Sequence, residues 1–334
     1  MLLESAVHES VCPPVATLLA ARAAVRPVRA VEHIRRMRGG SQAHLMRCSD
    51  GHCYVVKFQG NPQGTRILAN ELLGTRLADR LGLPTAINSV VLASKELILY
   101  SRELVLEVAR GTVPCTAGLC FGSRYPVDPR KTPVNDVLPR SLFCDLENIS
   151  DFCGMLVFDK WTCNTDGRQA VFFRKKQNSP FRAVMIDQGF CFNGPAWDFH
   201  DAPLRSLYRN HLAYERVRGM DDFEPWLTRL ETEINEDVLF EIANDVPPEW
   251  YASDSASMQS LLERLNRRRS KVRDLLLLAC QTSSQIFPNW IAGSATRGTQ
   301  NHDHADHAIS PIATKKLISD AASEVGCRIR RTYD

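Results

Sequence analysis

Two carboxylates, Asp166 and Asp187, are the residues of this chain best placed to do chemistry. Asp166 lies in the run Asn164, Thr165, Asp166, Gly167, Arg168, and Asp187 follows about 20 residues later in Ile186, Asp187, Gln188, Gly189. Between them come an apolar run at 170–173, a polar turn at 174–180 and a second apolar run at 183–186. That order predicts loop, strand, turn, strand, a hairpin that returns both carboxylates to one end. Phosphoryl transfer from a nucleotide needs such a pair. One carboxylate orients the attacking hydroxyl, and the other, just before a glycine, holds the magnesium that bridges the phosphates. Asp166 is thus the candidate base, and Asp187, leaving a buried strand at a Gly turn, the candidate metal ligand. Arg168 is a second catalytic candidate, suited to neutralising a carboxylate or a phosphate, and Asn164 shapes the loop. Each Asp also has a plainer reading, since Asp-Gly is an ordinary turn signal and a strand can end on an exposed Asp.

A second constellation lies nearer the start. Lys57 sits in the apolar strand pattern 54–58, where an ammonium is costly unless it finds a partner. Fourteen residues later Glu71 falls in the middle of an amphipathic helix. A strand lysine reaching a mid-helix glutamate is the ion pair that positions the α and β phosphates of a nucleotide. The plainer alternative is an edge lysine that snorkels and a solvent-facing Glu. Gly39, Gly40, Ser41 and Gln42 precede this strand by one hairpin strand, where a phosphate-covering turn belongs, because glycines expose backbone N–H groups.

The elements that must position these groups follow from pattern. Strand-like runs at 31–37, 43–47 and 53–58 are joined by turns at 38–42 and 49–51. A helix follows with apolar positions Ile67, Leu68, Leu72, Leu73, Leu77 and Leu81, stopped by Gly82 and Pro84. Runs 86–93 and 97–100 have strand character. The stretch 111–140, rich in Gly, Pro and charge, is expected to be a long connection. Helices are expected at 152–161, 204–212, 223–242 with breaks, and 257–280, with Pro247 and Pro248 at a boundary and Trp226 and Trp250 as core anchors. The fold expected is α+β and bilobal, protein-kinase-like, with a small β-rich N-lobe carrying one helix and a larger, mainly helical C-lobe. Nucleotide would bind in the cleft between them. The boundaries expected are an arm at 1–30, the N-lobe at 31–105, the C-lobe at 106–288 and a flexible tail at 289–334, with short helices at 15–25 and 313–322.

With 334 residues, 44% of them hydrophobic, the chain can build a sizeable core. Its net charge of +3 gives no reason to expect nucleic acid as the main partner. The basic run 264–273 interleaves with leucines at helical spacing, which reads as a solvated helix face. Eleven cysteines, with no CxxC pair, read as reduced thiols rather than a zinc site. No stretch approaches a membrane span, so a cytoplasmic protein is expected. The tract His302, Asp303, His304, Asp306, His307 reads as adventitious metal binding, and His200 as packing or a substrate rim.

At these residues the chain resembles the HipA-like kinases, a bacterial branch of the protein-kinase-like superfamily. The likeness spans roughly 31–279. It rests on the runs 55–58 (Val-Val-Lys-Phe), 70–72 (Asn-Glu-Leu), 77–84 ending Leu-Gly-Leu-Pro, 164–168, 186–190 and 248–250 (Pro-Glu-Trp). The resemblance implies ATP, magnesium and transfer to serine or threonine on protein, with Lys57, Asp166 and Asp187 in the roles above. One departure matters. Toxin-type members carry an Asn as a second metal ligand five residues after the catalytic Asp, and this chain has Val171 there. Gln169, close by, is the alternative metal candidate. Two other readings stay open: a pseudokinase that binds nucleotide or a partner without turnover, and a phosphotransferase acting on a small molecule.

Overall fold

Alternating apolar residues near the start of the chain pair into a five-stranded closed barrel, in the order β1-β2-β3-β7-β4. The computed structural model describes residues 26–291. Strands β1 (Val28–Arg36), β2 (His44–Cys48) and β3 (Cys53–Lys57) are successive antiparallel neighbours, joined where the glycine turns are. Strand β4 (Asn88–Ala93) runs parallel to β1 and antiparallel to β7 (Gly118–Arg124), and β7 also pairs with β3. Met46, Val56, Val91 and Cys120 are buried in one apolar cluster of these strands.

Three expectations are corrected here. The stretch 111–140 is not one long connection, because it holds β6 (Gly111–Pro114), paired with β5 (Val105–Val108), and then the barrel strand β7. Gly122 serves close packing, since a Cβ there would lie 2.4 Å from Val91 Cγ2. Strand pairing in the barrel therefore continues to Arg124. Residues 97–100 are helical, within α2 (Lys95–Tyr100), because the Ser94 hydroxyl accepts from Leu97 N at 3.1 Å and caps a turn that a short apolar run does not announce. The strand-rich part thus carries two helices rather than one.

Helix α1 (Arg66–Arg80) forms as its periodicity predicts. It ends in a Schellman-type turn, with Leu83 N bonded to Ala78 O and Gly82 N to Asp79 O, and Gly82 at φ 71°. Its leucines Leu68, Leu72, Leu73 and Leu77 share a single core with Phe192, Trp226 and Trp250, so α1 is cemented to the helical part. That part comprises α3 (Arg140–Cys144), α4 (Asp151–Thr162), the hairpin β8 (Gln169–Phe173) and β9 (Arg182–Ile186), α5 (Glu224–Thr232), α6 (Glu236–Ala243), α7 (Ser255–Arg268) and α8 (Val272–Thr282). Helix α4 is buried nearly all round, and Gly154 lets Trp226 lie against its backbone.

The helix expected at 204–212 does not form. Lys160 Nζ donates to the carbonyls of Ala202, Pro203 and Arg205, the last two of which a helix there would need for itself, and Ser206 has φ 70°. A short 3-10 turn, His211–Tyr214, stands at its end. The basic run is largely helical as expected, although Arg268 is buried and pairs with Asp201. The described residues lie within one compact unit of mixed α+β class. The helices expected at 15–25 and 313–322 and the histidine tract fall outside the described residues.

Candidate phosphoryl-transfer site

Lys57 ends β3 with its ammonium buried between two carboxylates. Nζ ion-pairs with Glu71 of α1 and donates to Asp187 Oδ1 at 2.8 Å. Glu71 is fixed from the other side by the chain after β9. Its carboxylate accepts from Gln188 N at 3.1 Å and Gly189 N at 2.9 Å. Gly189 has to be glycine, because a Cβ would meet Ile67 Cγ2 at 2.7 Å and Glu71 Oε1 at 3.1 Å. Asp187 takes φ 63°, a left-handed conformation that turns the chain out of β9 and into the site.

Burial disfavours a charged Lys57, yet the two carboxylates outweigh it and raise its pKa, so the ammonium is held charged. Burial likewise works against Asp187, but Lys57 dominates and holds its pKa at about 2. Burial pushes Glu71 up, with Lys57 opposing.

Asp166 lies on the loop between α4 and β8, with its carboxylate exposed. Its own turn pins it: Asp166 N donates to Asn164 Oδ1 at 3.1 Å, and Gly167 N to Asp166 Oδ1 at 2.8 Å. The Gln169 amide joins the two halves, donating to Asp166 Oδ2 at 3.3 Å and Asp187 Oδ2 at 3.1 Å. A continuous polar chain therefore runs Glu71, Lys57, Asp187, Gln169, Asp166. The register of β8 with β9, Gln169 opposite Ile186, is what sets both carboxylates at one end of the hairpin.

Three candidates stand differently from their first reading. Arg168 does neutralise a carboxylate, but a buried one behind the site. It forks onto Asp159 and reaches Ile186 O and Gln188 Oε1, both at 2.9 Å, so it positions the loop and cannot meet substrate. Gln169 presents its amide nitrogen, rather than its oxygen, to the carboxylates. The Gln42 side chain is committed elsewhere, donating to Glu107 O at 2.9 Å and accepting from Arg36 at 3.0 Å. Gly39 and Gly40 are exposed in the β1–β2 turn, and Ser41 O accepts from Asn61.

Sequence reading did not assign roles to three residues that build this arrangement. Asn70 Nδ2 donates to Gly189 O at 2.7 Å, Cys191 O at 3.2 Å and Gly194 O at 2.9 Å, and its Oδ1 accepts from Trp197 Nε1 at 2.7 Å. Asp159 anchors Arg168 and Asn164, while Lys160 fixes 202–205. The adjacent pair Asp159 and Lys160 directly after the apolar run 152–158 was the signal available, since buried charges need partners.

Two carboxylates bridged by one amide, beside a buried ammonium, suit a hard cation held with nucleotide phosphates, because magnesium usually takes only one or two protein carboxylates. Among the described residues no group of three or more His, Cys, Asp or Glu side chains is arranged as a self-sufficient metal site.

A family model described as HipA-like kinase matches residues 30–276, most of the chain. The chain belongs to the HipA-like kinase family, and is of the kinase-like phosphotransferase class. No curated protein sequence matches it. Among solved structures it is similar to the Helicobacter pylori proinflammatory kinase CtkA (12% identity, 77% of this chain and 100% of that one, TM-score 0.49). It is also similar to the Golgi casein kinase with Mn/ADP bound (12%, 80% and 76%, TM-score 0.40) and to the Shewanella oneidensis MR-1 toxin–antitoxin complex of HipA, HipB and operator DNA (12%, 74% and 68%, TM-score 0.38). The family assignment rests on the family match, not on these distant likenesses.

Proposed function

We propose that this chain is an ATP- and magnesium-dependent kinase that transfers a phosphoryl group to a hydroxyl, serine or threonine on protein being the acceptor class. The observation that carries the proposal is the convergence of Lys57, Glu71 and Asp187 into one buried network, with Asp166 tied to it through Gln169. In this reading the N-lobe is the barrel with α1 and α2, 28–124, the C-lobe is 125–288, and nucleotide lies between them. Lys57, kept charged and oriented by Glu71, donates to phosphate oxygens. Its contact with Asp187 is the one that phosphates and cation come to share. Magnesium held by Asp187 supplies charge neutralisation at the phosphates. Asp166 Oδ2, which also accepts from the Gln169 amide at 3.3 Å, takes or orients the acceptor's proton, while Gly167 N keeps Oδ1 engaged. A cytoplasmic location is part of the same proposal, supported by nine unpaired cysteines among the described residues. No helix among those residues is long and apolar enough to cross a membrane.

The test is incubation of the pure protein with labelled ATP, magnesium and a host lysate. Incorporation is expected to fall by about 10²–10⁴-fold in Asp166→Ala, the range for a lost general base, and to vanish in Asp187→Ala. Unchanged labelling in both variants overturns the assignment.

Val171 favours a second reading. It sits in β8 opposite Val184, where no second metal ligand is offered. On that reading the chain binds nucleotide or a partner with little turnover. Thermal stabilisation by ATP without any labelling would favour it, and robust labelling would eliminate it. A small-molecule acceptor is distinguished by label that appears in the low-mass fraction.

A further inference from the structure

Asp166 stands at the far end of the polar chain that starts at Glu71, so an acceptor hydroxyl reaches it from the side away from Lys57. The backbone on that side is the segment 200–209. Strand β8 carries β9 on one edge, and along the other Phe172 pairs with Asn135 and the preceding Arg168 with Tyr208. The segment follows the catalytic loop closely. Ser206 Oγ donates to Asn164 O, and a Cβ on Gly167 would lie 3.7 Å from Leu207 O. Lys160 fixes it from beneath, because its buried ammonium takes the carbonyls of Ala202, Pro203 and Arg205. Three carbonyls are thereby turned inward, and the segment is held in place before any ligand arrives.

Two guanidinium groups stand on this segment, one near each end of the catalytic loop. Arg205 Nη1 donates to His200 O at 2.6 Å, and the Cys163 thiol donates to the same oxygen at 3.4 Å. Arg205 therefore lies beside the residue that opens the loop. Arg209 follows Tyr208, the bridge partner of Arg168 at the loop's other end. It reaches Asp136 O at 3.5 Å and the Tyr208 hydroxyl, neither of them an anion. Among the described residues neither guanidinium has an ion pair. The carboxylates nearest in sequence are already engaged. Asp198 accepts from Asn193 and, at 2.9 Å, pairs with His200, while Asp201 is forked by the buried Arg268 at 2.6 and 3.0 Å.

These cations answer a local need. Glu71, Asp187 and Asp166 already gather negative charge here, and nucleotide phosphates would add to it. An acceptor with acidic flanks is repelled from such a place unless fixed cations meet its carboxylates. A guanidinium suits that task, since its fork matches a carboxylate with two parallel hydrogen bonds. An acceptor with basic flanks would instead face two like charges.

We propose that Arg205 and Arg209 select the acceptor, a serine or threonine in a protein segment with acidic residues on both sides, whose carboxylates the two arginines bind. The proposal deepens the kinase reading and rests on Asp166 being the residue that meets the acceptor.

The test measures peptide binding to the full chain by fluorescence anisotropy, with magnesium and a non-hydrolysable ATP analogue present. The probes are short peptides with a central serine and flanks of glutamate, glutamine or lysine. The glutamate peptide is expected to bind about tenfold more tightly than the glutamine peptide, the scale of one charged hydrogen bond. That preference should vanish in Arg205→Gln/Arg209→Gln and turn towards the lysine peptide in Arg205→Glu/Arg209→Glu. Each preference is a ratio taken within one protein, so a fraction that fails to fold does not change it. Failure of the wild type to bind the glutamate peptide, or equal binding of the glutamate and glutamine peptides, overturns the proposal. So does a preference that survives in both variants. A glutamine variant that loses the ATP analogue but keeps its peptide preference also overturns it, by assigning the arginines to the phosphates. Transfer from labelled ATP is scored separately. Acidic preference in binding without transfer to any peptide upholds the acceptor site and counts against the kinase reading. Transfer without acidic preference leaves the kinase reading standing and overturns this one.

Discussion

Lys57 holds two carboxylates that would otherwise repel each other in a buried space, so removing the ammonium leaves both uncompensated, whereas removing Glu71 leaves Lys57 paired with Asp187 alone. Glu71→Gln keeps the shape but takes one of the two anions from Lys57 and weakens the acceptor for Gln188 N and Gly189 N. A loss of about 1.5–3 kcal/mol in urea unfolding is expected, the scale for charged hydrogen bonds, and a loss under about 0.5 kcal/mol would contradict the geometry. His44 makes a pH prediction. It is fully buried, and burial, with His33 and Arg36 adding to it against an opposing backbone bond at Val105, lowers its pKa to about 4. It also lies 3.8 Å from the Cys115 thiol. The unfolded chain takes up a proton below the ordinary value of 6.5, while the folded chain refuses it until about 4. Stability should therefore fall as pH drops through that window, by up to about 3 kcal/mol, and His44→Gln should flatten the fall. Equal slopes in the two proteins would refute this. At this scale Lys57, Glu71, Asp166 and Asp187 were legible, because each breaks a local pattern: a charge in an apolar strand, an acid beside core leucines, an Asp at a Gly turn. Asn70 was not, since the carbonyls it donates to lie up to 124 residues away along the chain; for Arg168 a carboxylate partner was legible, but not that it is the buried Asp159.

Elements position these groups through close packing at glycines. Gly189→Ala drives a methyl into Ile67 and towards Glu71, so it should displace the 187–189 turn. Phosphotransfer should fall more than stability does, the latter by about 1–3 kcal/mol as for overpacking. Equal activity at reduced melting temperature would argue that the turn is not part of the site. Gly122→Ala, which meets Val91 at 2.4 Å, should instead destabilise the barrel without changing activity per folded molecule. The hairpin β8–β9 and helix α1 were legible from period and stop signals. Strand β7 was not, because Gly118 and Gly122 carry turn signals in sequence but serve a barrel wall in space. Helix α2 was hidden behind four apolar or aromatic residues, and only its Ser94 cap gives it away. The turn at 204–212 kept helical periodicity but lost its carbonyls to Lys160.

Over the whole molecule, the modest charge of +3 conceals a local excess of cations where the barrel faces the hairpin, a feature that composition averages away. The large core takes in α1 together with Val90 and Phe121 of the barrel and joins them to the helical part, and the helix at that junction also carries Glu71. A ligand gripping both parts at the Lys57 site should stabilise the fold. ATP with magnesium at 100 times its dissociation constant should add about 2.7 kcal/mol, read as a melting shift that Lys57→Met abolishes. The most direct measurement is a crystal structure with a non-hydrolysable ATP analogue and magnesium. The account predicts phosphate oxygens within hydrogen-bond reach of Lys57 Nζ, a cation on the Asp187 carboxylate, and Asp166 facing the terminal phosphate. A triphosphate bound elsewhere, with the Lys57, Glu71 and Asp187 network unchanged, would contradict it.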